Sequence, residues 1–172
     1  MKLPQISLRP FIVIHRVTEL APEWLTANGI RGLLVDIDNT ITPYHSEEIP
    51  NDILVWLHSI KTAEIKFTPY SNAKPYRIEN FCRNFGIPNP GIALKPLNFG
   101  LGRTIRILKI PKNQLLLVGD QVFTDNLSGK FAGIRVVLVD PVSTREFPLT
   151  KVMRRIERLI GRQKWGYDRL GK

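Results

Sequence analysis

One cysteine, Cys82, in 172 residues rules out an intramolecular disulfide framework. It falls with Ile78, Phe81 and Phe85 on one face of a predicted helix, so it reads as core packing rather than as a reactive thiol. No apolar stretch approaches the ~20 residues of a membrane-spanning helix, and Met1-Lys2-Leu3-Pro4 lack the hydrophobic region of a secretory signal. These absences point to a cytoplasmic protein, with peripheral attachment to a membrane still open. Internal repeats and low-complexity linkers are absent too. The chain is of single-domain size, and its 43% hydrophobic residues are enough for one core without disulfide or metal staples.

Acidic residues are the scarcer charge: 15 Asp and Glu stand against 25 Lys and Arg, for a net +10. The excess is uneven, since residues 151–172 hold eight Lys or Arg and only two acids. That concentration suits a polyanionic partner, either anionic lipid or nucleic acid. Within it Val152, Met153, Ile156, Leu159 and Ile160 recur at helical spacing, Arg154, Arg155, Arg158 and Arg162 take other faces, and Trp165 and Tyr167 follow. Such a basic amphipathic helix suits an anionic membrane surface. The alternative is a helix packed on the body of the protein with a solvated basic face. The organisation expected is a domain over residues 1–150, including an N-terminal docking segment, and a basic C-terminal helix or tail over 151–172.

Short apolar runs alternating with helical periods predict a βα succession and a mostly parallel sheet, with strands near 32–37, 65–70, 91–94, 115–119 and 134–139. Ile53, Leu54, Leu57 and Ile60 make a helical stripe behind Pro50, and the stripe at 78–85 ends at Gly86, a natural C-cap. Further helices are predicted over about 96–109, about 125–132 and from about 148, the second of these before Gly133 and the first weakened by Gly100 and Gly102. Right-handed crossovers turn this order into a three-layer α/β/α sandwich with its ligand site at the C-terminal ends of the strands. In the first 30 residues, Pro10 to Ile14 could be a strand or a docking segment, and Ala21 to Leu25 a short helix.

Asp36-Ile37-Asp38-Asn39-Thr40 leaves the buried run Gly32 to Val35, so two carboxylates stand at a strand exit. Alone the pair is weak evidence, because Asp-x-Asp arises by chance roughly once in two chains of this length. An EF-hand-like calcium loop over Asp36 to Glu47 is disfavoured by Ile41 at the position that needs glycine, and by a strand in place of the preceding helix. Three further segments stand at comparable places: Ser71-Asn72, Lys95-Pro96 and the run from Gly119-Asp120 to Asp125. Singly these are a turn or helix cap, a solvated lysine and a strand-end turn. His45 reads as a solvated loop residue, and Asn39 and Thr40 as residues that fix the loop.

In that order and spacing the chain resembles the haloacid dehalogenase-like phosphatases, whose motifs are Asp-x-Asp-x-Thr, a Ser or Thr, a Lys, and Gly-Asp with a second acid a few residues on. The fuller strings are similar to the small capless branch that includes phosphatidylglycerophosphate phosphatases. The resemblance covers about residues 12–150. It implies an Asp36 nucleophile that forms an aspartyl-phosphate, and an Asp38 that first protonates the leaving oxygen and then activates water. It implies Mg²⁺ held by the carboxylates of Asp36 and Asp120 and the main-chain carbonyl of Asp38, with Asp125 orienting the surrounding water. Ser71 and Asn72 would bind the phosphoryl oxygens, and Lys95 would neutralise charge there and keep the nucleophile ionised.

Family members insert caps between the first and second motifs or between the second and third, and here the gaps 40–71 and 72–95 hold about one helix and one strand each. An open site favours a substrate presented on a larger surface. A lipid headgroup in a bilayer fits that, as does a phosphorylated macromolecule, and the resemblance implies phosphatidylglycerophosphate as the substrate. The alternatives are a phosphatase for nucleic-acid ends or other soluble phosphate esters, and a non-catalytic RNA- or protein-binding module. One departure from the family is Phe67-Thr68-Pro69-Tyr70: Pro69 cannot donate to a sheet ladder, so an edge strand or a distorted loop is expected there.

Overall fold

A computed structural model describes residues 8–144, 148–159 and 161–170. Four of the predicted runs become strands, β2 (Gly32–Val35), β3 (Lys66–Pro69), β4 (Leu115–Gly119) and β5 (Arg135–Val139), and the ambiguous N-terminal segment supplies β1 (Ile12–Ile14). All pairings are parallel, in the order β1-β5-β4-β2-β3. β3 therefore lies at an edge, where the missing N–H of Pro69 is tolerated.

Along β2, side chains alternate between two cores. Leu33 and Val35 join Val118, Val137 and Val139 beneath α1 (Pro22–Ala27), α2 (Asn51–Thr62) and α3 (Pro75–Phe85). Leu34 faces the opposite way with Leu117 and Val136, beneath α4 (Leu101–Leu108) and α5 (Leu127–Ala132). The result is the expected three-layer α/β/α sandwich. Cys82 is buried in the first of these cores, and burial pushes its thiol up to about 11, which leaves it an inert apolar group.

Two predicted elements differ. Residues 91–94 form no strand: Gly91 and Leu94 adopt left-handed φ of 70° and 56°, which an extended run cannot contain, and Ala93 keeps one main-chain bond to Ser71. The helix predicted over 96–109 begins only at Leu101, because Asn98 is also left-handed. The gap 72–95 thus holds one helix and an irregular return, and no cap is present among the described residues.

The C-terminal helix α6 (Pro148–Leu159) starts where predicted. Its orientation is not the one its apolar stripe suggests. Val152, Ile156 and Leu159 face solvent at 48%, 39% and 85% exposure, while Glu157 is fully buried and Arg154 and Arg162 turn inward. The expected solvated basic face keeps only Arg155 and Arg158 of its four arginines. Ile160 and the opening Met1-Lys2-Leu3-Pro4 lie outside the described residues. No helix among those described is long and apolar enough to cross a membrane.

Candidate active site

The four motifs meet at the C-terminal edge of the sheet because β2 and β4 are adjacent and in register, Val35 beside Val118. Asp36 continues the ladder by donating its N–H to the carbonyl of Val118 at 2.9 Å, which points the residue over the strand ends. Asp120 follows Gly119 one strand away. Gly119 is required by close approach: a Cβ there would lie 2.1 Å from Cγ of Asp125.

Lys95, its side chain 2% exposed, bridges Asp36 Oδ1 at 2.8 Å and Asp125 Oδ1 at 2.5 Å. Asp125 accepts a further bond from the main-chain N–H of Gln121 at 3.0 Å. Burial alone would lower the Lys95 pKa, but Asp125 and Asp36 more than offset it and hold the ammonium charged above the usual lysine range. Burial pushes Asp120 and Asp125 up, countered by Arg154 at the first and by Lys95 at the second. Three buried carboxylates, Asp36, Asp120 and Asp125, thus share two cations, Lys95 and Arg154, so the cluster is short of positive charge.

Carboxylate atoms of Asp36, Asp120 and Asp125 lie within 4.8 Å of one another, a group that could hold a metal ion. Oδ1 of Asp120 is buried with no hydrogen-bond partner, an oxygen still to be satisfied. A hard divalent cation fits both this all-oxygen donor set and the charge deficit.

Asp38 stands apart from that cluster. Its carboxylate pairs with Arg77 of α3. Asn39, at φ 59°, shapes the loop by accepting at its side-chain oxygen from Tyr44 N–H and Ser143 Oγ, in keeping with a loop-fixing role. Ser71 is buried at the end of β3, and its Oγ accepts from Ala73 N–H at 3.1 Å. Asn72 spends its amide on the main chain of Lys95, accepting from N–H at 2.8 Å and donating to C=O at 2.9 Å, so it brackets the lysine. His45 is exposed and edge-on to Tyr44.

Four charged residues reach this edge without being expected there: Arg77 and Glu157, which carried no reading in the sequence, and Arg154 and Arg162, which had been expected on a basic outer face. Arg154 pairs with the Asp120 carboxylate and donates to its carbonyl at 2.7 Å. Glu157 accepts from Val122 N–H at 2.6 Å and from Arg162 at 2.7 Å, and Arg162 also donates to the carbonyls of Asp120 and Val139. Two signals were legible: Arg77 lies four residues before Phe81 on the apolar face of α3, and Glu157 is the lone acid in an otherwise basic helix.

The HAD-hydrolase-like family matches residues 93–158, from just before Lys95 through Asp120 and Asp125 into α6. The chain is 29% identical over 147 residues to a Bacillus subtilis (strain 168) protein described as "Probable phosphatase YqeG", covering 86% of each. A crystal structure of an uncharacterized protein from Listeria monocytogenes serotype 4b shares the fold, with TM-score 0.50 at 17% identity over 76% of this chain and 99% of the other. Family match, relative and site geometry together support a phosphoric monoester hydrolase.

Proposed function

We propose that this chain hydrolyses phosphate monoesters through an aspartyl-phosphate on Asp36, with Mg²⁺ as cofactor. The observation that carries the reading is Lys95 buried between Asp36 and Asp125, with Asp120 close by: three acids and one lysine at strand ends. A Mg²⁺ held by the carboxylates of Asp36 and Asp120 and the Asp38 carbonyl would mask the charge of the phosphoryl group.

In the first half-reaction the Asp36 carboxylate attacks phosphorus, the bond to the ester oxygen breaks, and Asp38 gives that oxygen its proton. In the second, Asp38 takes a proton from water, the water oxygen attacks phosphorus, and Asp36 leaves as the free carboxylate. Ser71 donates to a phosphoryl oxygen. Asn72 reaches the phosphate site through Lys95, whose main chain it brackets. Asp125 keeps Lys95 in place.

Phosphate release is expected to require Mg²⁺ and to stop on chelation. Asp120→Asn should raise the Mg²⁺ needed for half-maximal rate by about tenfold or more, because an amide removes charge from a hard-cation site. Weakened Mg²⁺ binding by calorimetry would accompany it, and equal rates with and without the metal would refute the assignment of Asp120.

Phosphatidylglycerophosphate is the substrate the motif strings favour, and the outward stripe of α6 supports a lipid. Val152, Ile156 and Leu159 form an apolar face beside Arg155 and Arg158, suited to lying on an anionic surface. Each arginine near such a surface contributes about 1 kcal/mol. Replacing Val152, Ile156 and Leu159 with Gln should weaken sedimentation with anionic liposomes and slow hydrolysis of vesicle-borne phosphatidylglycerophosphate, leaving p-nitrophenyl phosphate nearly unaffected. Unchanged liposome binding would reject docking through α6. Tight binding to RNA instead of lipid, with no phosphate release, would favour the binding-module alternative.

A further inference from the structure

Arg77 has no role in the reaction as written, yet it is among the most thoroughly bonded side chains at this edge of the sheet. Its side chain is 4% exposed. One guanidinium nitrogen donates to the Asp38 carboxylate, and another to Thr42 Oγ1 at 2.9 Å and to the Ser46 carbonyl at 2.6 Å. All three acceptors belong to the loop that follows Asp36, whereas Arg77 sits in the first turn of α3, just after Ser71. The planar fork is thereby over-determined, and Asp38 must follow it.

The consequence concerns two carboxylates placed two residues apart. Asp36 bonds Lys95 and lies in the acidic cluster with Asp120 and Asp125, while Asp38 bonds Arg77 and does not belong to that cluster. A flexible aspartate beside a site for a divalent cation would be drawn into its ligand shell. Arg77 supplies the competing charge. Asp38 keeps 21% side-chain exposure, so solvent reaches it while Arg77 holds it.

We infer that Arg77 is a positioning residue that commits Asp38 to proton transfer at the leaving oxygen. The inference rests on the reading of Asp38 as the acid and base of an Asp36-centred phosphatase. It goes beyond that reading by saying what separates the two roles, and why α3 must follow the Ser71 loop so closely. Lysine cannot substitute, because a point ammonium lacks the fork that reaches Asp38, Thr42 and Ser46 together.

Leaving-group dependence tests it. Departure of p-nitrophenolate needs little protonation, whereas phenolate, a poorer leaving group, depends on the acid. The ratio kcat/KM covers only the steps up to leaving-group departure, so the later hydrolysis does not enter. Arg77→Lys and Arg77→Gln are expected to lower kcat/KM for phenyl phosphate roughly tenfold more than for p-nitrophenyl phosphate. Hydrolysis of the intermediate should become limiting with the latter ester, seen as a burst of p-nitrophenol. Because removing one partner of a buried pair can unfold the protein, the double variant Asp38→Asn/Arg77→Met keeps the test decisive by leaving no unpaired charge. On phenyl phosphate it should be no slower than Asp38→Asn alone, since the two residues act as a unit. Equal losses on both esters, or additive losses in the double variant, would overturn the inference. Parent protein inactive on both esters with Mg²⁺ present would remove the phosphatase reading itself, a separate result.

Discussion

Asp36→Asn is expected to abolish phosphate release, by a factor on the order of 10⁶, as removal of the nucleophile does in other covalent enzymes. The amide keeps the shape of the side chain but cannot form the acyl-phosphate and gives up a cation-binding charge. The fold should survive. Lys95 retains Asp125 as a partner, and removing one acid from a cluster already short of positive charge adds no unpaired charge. Phosphate release and thermal melting on the same purified preparation check this. A melting temperature near that of the parent with activity near that of the parent would end the mechanism. Asp38→Asn should lose less, on the order of 10² to 10⁴, because it removes proton transfer and leaves the nucleophile.

Lys95→Met should act in the opposite way, with stability as the larger casualty. Asp36, Asp120 and Asp125 would remain buried around an apolar side chain, and breaking a buried ion pair by removing one partner costs about 3 to 5 kcal/mol. For a chain of this length that lowers Tm by roughly 10 °C. The loss should depend on pH. Burial already raises Asp120 and Asp125 above their usual 3.8, and without the lysine they rise further, so the folded variant binds protons that the unfolded chain has released. Its stability therefore falls as pH climbs from about 4 toward neutrality, and the deficit against the parent is smallest in mild acid. Melting curves across that range check it. A deficit independent of pH would mean that lost packing, not unpaired charge, is the cause.

Particular residues show how far the sequence reaches. Asp36 is legible because Leu33, Leu34 and Val35 announce a buried strand and the acid marks its exit. Asp120 is legible for the same reason at Leu115 to Gly119. That Ser71 should join them follows from the rule that α/β sheets gather their chemistry at the C-terminal ends of strands, whereas Lys95 arrives on an irregular return and was legible only through the motif resemblance. The outer parts of the sheet were harder. Residues 91–94 look like a strand but are broken by left-handed Gly91 and Leu94, and Ile12–Ile14, an ambiguous segment in sequence, takes the far edge beside β5. Edge strands are short and paired on one side only, so local pattern constrains them least.

By itself the sequence determined the βα order, the three inner strands, the helix stops at Gly86 and Gly133, and the positions of the acids that end up over the sheet. These depend on apolar periodicity and turn residues within a few positions of each other, which a linear reading can see. Only the tertiary structure decided which buried charge answers which: Lys95 to Asp125 across 30 residues, Arg154 to Asp120 across 34, Arg77 to Asp38 across 39. It also decided that α6 buries its polar side and shows its apolar one. A buried ion must be paired wherever the fold brings a partner, and that pairing outweighs the few apolar side chains α6 leaves in water.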